Sequence, residues 1–128
     1  MPAKDLKQFI LWTLRKASYR WTPRGQAFRA ASASAADFKK RPGEKVTARV
    51  RNFYSCATCK KVFSRKGVSA DHIVPVVDPK KGWEGLEKFC ERLFCEADGF
   101  QILCKTDHDA KTKKEGLVRT KQRRLKKL

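Results

Sequence analysis

Residues 54–77, YSCATCKKVFSRKGVSADHIVPVV, and residues 99–115, GFQILCKTDHDAKTKKE, carry most of the chemistry in this chain. Cys56-Ala-Thr-Cys59 is a C-x-x-C, the spacing that lets two thiolates of one tight turn reach a single tetrahedral Zn²⁺. The second stretch offers a matching half, Cys104-Lys-Thr-Asp107, with a carboxylate where a fourth thiolate is the commoner ligand. Cys56, Cys59, Cys104 and Asp107 are therefore the expected ligands of a structural Zn²⁺, with Cys95 kept open as an alternative fourth. Cys90 reads as a small buried hydrophobe. Five cysteines, an odd count, in a basic chain without a recognisable export signal argue against a disulfide framework. A redox use of the C-x-x-C ranks last, because no βαβ pattern surrounds it.

The chain has two histidines, and a half-knuckle precedes each. His72 lies in Ser69-Ala-Asp-His-Ile-Val-Pro75, directly after Asp71, and His108 follows Asp107, four residues past Cys104. Phosphodiester cleavage needs a nucleophilic water, a base to deprotonate it, and positive charge for the transition state and the leaving oxygen. A neutral imidazole serves as such a base near neutral pH. A carboxylate with a second histidine can hold one divalent cation and leave positions open for phosphate and water. On a strand, adjacent Asp71 and His72 point to opposite faces. A bend is therefore expected to aim both at one phosphate, and Pro75 suits a strand-to-loop exit.

Outward from these stretches the periodicity changes. Residues 4–20 place Leu6, Phe9, Ile10, Leu14 and Ala17 at helical spacing. Thr22-Pro23 reads as a cap and first-turn pair for a second helix to about Ala33. Residues 31–45 read as a linker ending in Arg-Pro-Gly, and Val46–Tyr54 as a short strand or arm. Trp83, Leu86, Phe89, Cys90, Leu93 and Phe94 share one face of a helix between Gly82 and Gly99, a face expected to pack over the sheet. Phe100–Cys104 suits a buried strand, and a helix follows from Asp107 into a basic tail, expected to be partly disordered without its partner.

Lys+Arg number 31 against 13 Asp+Glu, a formal net charge of +18. Residues 1–30 carry seven basic and one acidic side chain, and residues 101–128 ten and three, whereas residues 82–100 carry two and five. An excess of this size repels itself unless a polyanion neutralises it, so nucleic acid is the expected partner. No apolar run reaches the roughly 18 residues of a membrane span, and membrane is not an expected partner. Asp5 and the missing small-residue cleavage site speak against a secretory leader. The expected location is the cytoplasm.

The C-x-x-C, Asp-His-Ile-Val-Pro and Leu-Cys-x-x-x-His-x-x-Lys-Thr patterns together resemble the HNH endonucleases, most closely the small stand-alone HNH proteins of bacteriophages. The likeness covers about residues 54–115. It implies an α+β fold with a ββα-metal (HNH/His-Me finger) core, to which the periodicity adds N-terminal helices and a helix inserted between the two strands. Together with the charge distribution this divides the chain into a basic helical extension and linker at 1–45, a nuclease domain at 46–116 and a basic tail at 117–128. His72 would be the general base, with Asp71 and His108 ligands of a catalytic Mg²⁺ or Mn²⁺. Cys56, Cys59, Cys104 and residue 107 would form the structural zinc site. The implied activity is metal-dependent hydrolysis of phosphodiester bonds in DNA, nicking per monomer on a double-stranded substrate.

In such an arrangement the His108 helix lies against the phosphates, so Lys111 is expected on the phosphate next to the scissile one. Lys105, Lys113 and Lys114 are expected nearby, and Arg15, Arg20 and Arg24 of the N-terminal helices extend the footprint. Two positions depart from the family pattern: Asp107 replaces a cysteine, and Gly99 stands near the family's middle asparagine, where Asp98 or the 83–94 helix would brace the base-bearing loop. These departures keep alive a zinc-stabilised nucleic-acid-binding module with an inactive site. An accessory role in phage DNA packaging, beside a terminase or another phage protein, is a further alternative.

Overall fold

The computed structural model describes residues 5–44, 46, 47 and 49–127. Helix α1 spans Leu6–Ser18, capped by Asp5, whose carboxylate accepts from the Gln8 amide at 2.8 Å, with Arg15 and Lys16 in the last turn complementing the dipole. Helix α2 spans Thr22–Ala30 with Pro23 in its first turn. It stops short of the expected Ala33 because Ser32–Ala33 is a strand, β1, paired antiparallel with β2 (Phe53–Ser55). The segment read as a linker therefore begins inside a sheet, whose third strand is β3 (Val62–Ser64). Of the described residues in the Val46–Tyr54 run, Phe53 and Tyr54 form strand.

A second sheet joins β4 (Val68–His72) and β5 (Phe100–Cys104), antiparallel, with Asp71 opposite Gln101 and His72 opposite Phe100. Helix α3 (Leu86–Leu93) lies between these strands in sequence, and α4 (Lys105–Lys126) follows β5 directly. The described residues thus form a mixed α+β fold of four α-helices and two small antiparallel sheets. None of these helices is long and apolar enough to cross a membrane.

Three small clusters hold the elements together. Alternation on the second sheet turns Val68, Ala70, Phe100 and Ile102 toward Ala27 and Phe28 of α2. Cys56, Leu103 and Cys104 bury the join between the sheets, with Phe63 against them. Phe89 and Leu93 of α3, each 2% exposed, pack with Val76 against Leu11 and Leu14. The apolar face of α3 therefore meets α1 and the 76–77 loop rather than the sheet. Trp83 (41% exposed) and Leu86 (49%) stay outside it, and Cys90 is half-buried rather than buried. Helix α4 begins two residues earlier than expected and runs unbroken to Lys126, so the basic tail is helical; no residue of α4 is buried. Lys and Arg are good helix formers, and Gly116 alone does not end such a run.

Candidate functional site

Two adjoining sites grow from the β5–α4 junction. The first is the knuckle between β2 and β3. Cys56 N–H donates to Lys61 O at 2.9 Å and Lys60 N–H to Cys56 O at 3.0 Å, closing the turn. Lys60 adopts a left-handed φ of 63°, the conformation that a glycine would take at less cost. Ala57 N–H donates to Ile102 O at 2.8 Å, tying the turn to β5. Because Cys104 ends β5 and caps α4, Asp107 falls in the first turn of the helix and reaches back to the knuckle.

Asp107 Oδ2 lies 3.1 Å from Cys56 Sγ and 3.2 Å from Cys104 Sγ, and the Cys59 and Cys104 sulfurs are 4.0 Å apart. All four ligand atoms lie within 4.8 Å of one another. Tetrahedral Zn²⁺ with Zn–S of ~2.3 Å separates its sulfurs by about 3.8 Å, so Cys56, Cys59, Cys104 and Asp107 fit such an ion with shifts of up to about 1 Å. Burial pushes the Cys104 thiol up to about 12 and raises that of Cys59, while thiol hydrogen bonds hold the Asp107 carboxyl below its usual range. A cation replacing those thiol protons would couple binding to their release. Cys95 is not part of the group: it packs against the α2 cluster, and its carbonyl accepts from Trp21 Nε1 at 2.7 Å.

The second site straddles β4 and α4. Asp71 Oδ2 accepts from Gln101 Nε2 at 3.0 Å and from Lys111 Nζ at 2.7 Å. The Lys111 ammonium also donates to the His72 carbonyl at 2.8 Å and meets Glu115 at 2.9 Å. His108 Nε2 is 3.9 Å from Asp71 Oδ1, a separation that one divalent ion bonded to both at about 2.1 Å can bridge. His108, Lys111 and Glu115 share a face of α4 through their three- and four-residue spacing. Burial lowers the pKa of Lys111, but its bonds to Asp71 and Glu115 outweigh this and raise it above the usual value.

His72 leaves the opposite face of β4, as the strand pleat dictates, and the ladder runs through it without the expected bend. Its ring stacks against Phe100 at 4.8 Å, and Nε2 lies 3.0 Å from Leu93 O at the end of α3. A carbonyl only accepts, so Nε2 carries the hydrogen, and the neutral ring leaves Nδ1 bare. Burial lowers the His72 pKa, helped by Arg24 and Arg15 and opposed by Leu93 O and Asp71, which favours that neutral ring. Arg15, Asp71, His72, Lys111, Glu115 and Arg119 all line one cleft of ≈190 Å³ at the end of the strand.

Gly99, near the position where the resemblance expects an asparagine, has no room for a side chain: a Cβ there would come within 2.6 Å of Cys95 Sγ. Its carbonyl instead accepts from Ile73 N–H at 2.9 Å and pins the chain just after His72. Backbone atoms of Gly99 and Leu93 do the bracing, and no bond from Asp98 to this loop joins them among the described residues.

The basic side chains are spread more widely than the two histidines. Arg15 and Arg24 sit close enough to bias His72 electrostatically. Arg24 lies over Tyr19 at 4.6 Å, and burial lowers its pKa. Arg20, Lys113 and Lys114 are exposed. Lys105 and His108 line a separate hollow beside Lys66–Ser69. Trp21 is half-buried against Phe94, whereas Trp12 and Tyr19 are exposed. Gln101, Glu115, Arg119 and the Leu93 carbonyl enter the site unannounced by the motifs. Strand register pointed to the first and the i+4 spacing from Lys111 to the second, but a backbone acceptor has no sequence signal. Comparison of the chain with protein-family models, curated proteins and solved structures finds no match.

Proposed function

We propose that the chain is a metal-dependent HNH-type endonuclease that hydrolyses phosphodiester bonds in DNA, cutting one strand per active site. The observation that carries this reading is the His72 ring held through Nε2 on Leu93 O while Asp71 and His108 face each other at 3.9 Å. The succession β4, α3, β5, α4 supports the ββα-metal reading of the core, with the Cys56/Cys59/Cys104/Asp107 group as its zinc site.

In the reaction, His72 Nδ1 accepts a proton from water, and the water oxygen attacks phosphorus. The P–O3′ bond breaks, giving a 5′-phosphate and, once the leaving oxygen is protonated, a 3′-hydroxyl. Asp71 and His108 would hold a Mg²⁺ or Mn²⁺ ion, which would supply positive charge for the transition state and the leaving oxygen. Lys111 must release Asp71 Oδ2 for that carboxylate to serve fully, which frees its ammonium for a neighbouring phosphate. Arg15 and Arg119, lining the same cleft, hold further phosphates.

The test is nicking of supercoiled plasmid with Mg²⁺, Mn²⁺ or no divalent ion. Metal-dependent nicking that vanishes in His72→Ala is expected. Tight DNA binding without nicking under any metal would overturn the reading. It would leave the second one, a zinc-stabilised binding module or packaging accessory, which the closed Lys111–Asp71 pair favours. Either reading expects a salt dependence: with about six phosphates neutralised, log affinity falls against log salt with a slope of roughly −5.

A further inference from the structure

A concavity of ≈950 Å³ lies away from both histidines, on the outer face of the β1–β2–β3 sheet. Register explains its floor. Tyr54 and Phe63 turn inward onto the α2 cluster, so Ala33, Ser55 and Val62 face the other way. The walls are Lys39, Lys40 and Arg41 on one side and Lys60 and Lys61 of the knuckle on the other, against Asp37 as the one acidic lining residue.

The walls are built rather than loose. The Arg41 guanidinium donates to Val62 O at 3.2 Å, pairs with Glu44 at 3.1 Å and lies 3.8 Å over the Phe63 ring. It thereby fixes the 39–42 segment against β3. Lys60 is held by its left-handed backbone within the closed turn. Among the described residues, no carboxylate pairs with Lys39, Lys40, Lys60 or Lys61. Four unpaired ammonium groups around one groove repel each other until an anion enters.

We infer that this groove is a second nucleic-acid-binding site, which grips sugar–phosphate backbone away from the cleft of Asp71 and His72. The inference rests on the nucleic-acid partner of the proposed function and not on cleavage. Backbone is the fitting ligand because the lining offers lysines with the hydroxyls of Ser34 and Ser55, the groups that contact phosphate. No aromatic side chain lines the groove, so it lacks both a platform on which bases stack and the anchors of a protein interface. The site therefore positions nucleic acid without reading its sequence.

The experiment uses the zinc-replete full chain and labelled duplex or single-stranded DNA, titrated over a salt series without Mg²⁺ or Mn²⁺. A groove variant (Lys39→Gln, Lys40→Gln, Lys60→Gln, Lys61→Gln) is set beside a charge-matched control (Lys7→Gln, Lys80→Gln, Lys81→Gln, Lys88→Gln). Circular dichroism and zinc content verify that both are folded. On duplex the groove variant should lose about 3 to 4 from the magnitude of the log–log salt slope, at ~0.9 per phosphate contact, and bind at least tenfold more weakly. The control should change little. Equal losses in both variants would reduce the effect to net charge and overturn the site. Unchanged DNA binding with lost affinity for polyglutamate would assign the groove to an acidic protein instead, also overturning it. The single-strand arm tells which form the groove prefers. A chain that never nicks plasmid yet shows the selective slope loss would sink the nuclease reading and leave this site standing.

Discussion

Removing the metal from the knuckle should unfold it locally while the rest of the fold persists. Opening residues 56–61 exposes a cluster of only three buried side chains, Cys56, Leu103 and Cys104. Their burial is worth about 4 kcal/mol, roughly 2 for the leucine and 1 for each small thiol. Holding six turn residues in place costs about 6 kcal/mol at the low end of 1 kcal/mol each, and Lys60 adds left-handed strain of about 1 kcal/mol. A bound ion would make up this deficit of about 3 kcal/mol, well within what structural zinc supplies. The assay is amide hydrogen exchange before and after chelation. The amides of Cys56, Ala57 and Lys60, bonded respectively to Lys61, Ile102 and Cys56 carbonyls, should lose protection by about a hundredfold or more. Ala70 and Ile102, paired in the second sheet, should keep theirs. Protection at 56–60 that survives complete metal removal would refute the reasoning. Asp107→Cys, which completes a four-thiolate set, should bind Zn²⁺ or Co²⁺ more tightly than the natural chain.

Other expectations follow from single contacts. The depressed pKa of His72 keeps the base neutral below its ordinary 6.5, so the acid limb of kcat/KM for nicking should have its midpoint below pH 6.5. As pH drops through 6.5 the unfolded chain takes up this proton before the folded one, so stability should decline there; a His72→Phe chain, lacking the group, should show a shallower decline in thermal melts. Lys111→Met frees Asp71 of its ammonium partner and should raise Mn²⁺ affinity by about tenfold in calorimetry, one nearby charge being worth about 1.4 kcal/mol. Weakened Mn²⁺ binding would mean that Lys111 orders the site rather than occupying it. Gly99→Ala drives a methyl to 2.6 Å from Cys95 Sγ and should cost about 1–3 kcal/mol in denaturant unfolding, most of it recovered when Cys95→Ala is added.

What the sequence announced and what it hid divide along physical lines. The meeting of Cys56, Cys59, Cys104 and Asp107 was readable because each half is a short, fixed spacing whose geometry is local. Strand β5 and helix α3 were readable from apolar periodicity, and so was the existence of α1 and α2. The two-residue β1 was hidden in a run of alanine and serine, where nothing but its partner strand distinguishes it from a linker. The docking of α3 on α1 was hidden too, since periodicity identifies a buried face without naming what covers it. The hold on the His72 ring comes from the Leu93 carbonyl, and that on the next residue, Ile73, from the Gly99 carbonyl, atoms that every residue has. The long reach of α4 was missed because strong helix propensity in a charged run was read as a solvated tail.

Helix α4 has no buried side chain of its own, yet neighbouring residues serve two different centres: Asp107 the knuckle, and His108 the carboxylate of Asp71. Successive residues on an α-helix are rotated by about 100°, so fixing one fixes the azimuth of the other. The knuckle therefore works as a pivot bearing, setting the roll angle at which His108 and, a turn later, Lys111 are presented. Loss of the bearing would leave a correctly folded helix free to roll, and the face of His108 and Lys111 would be misaligned against the strand even with all of its groups intact.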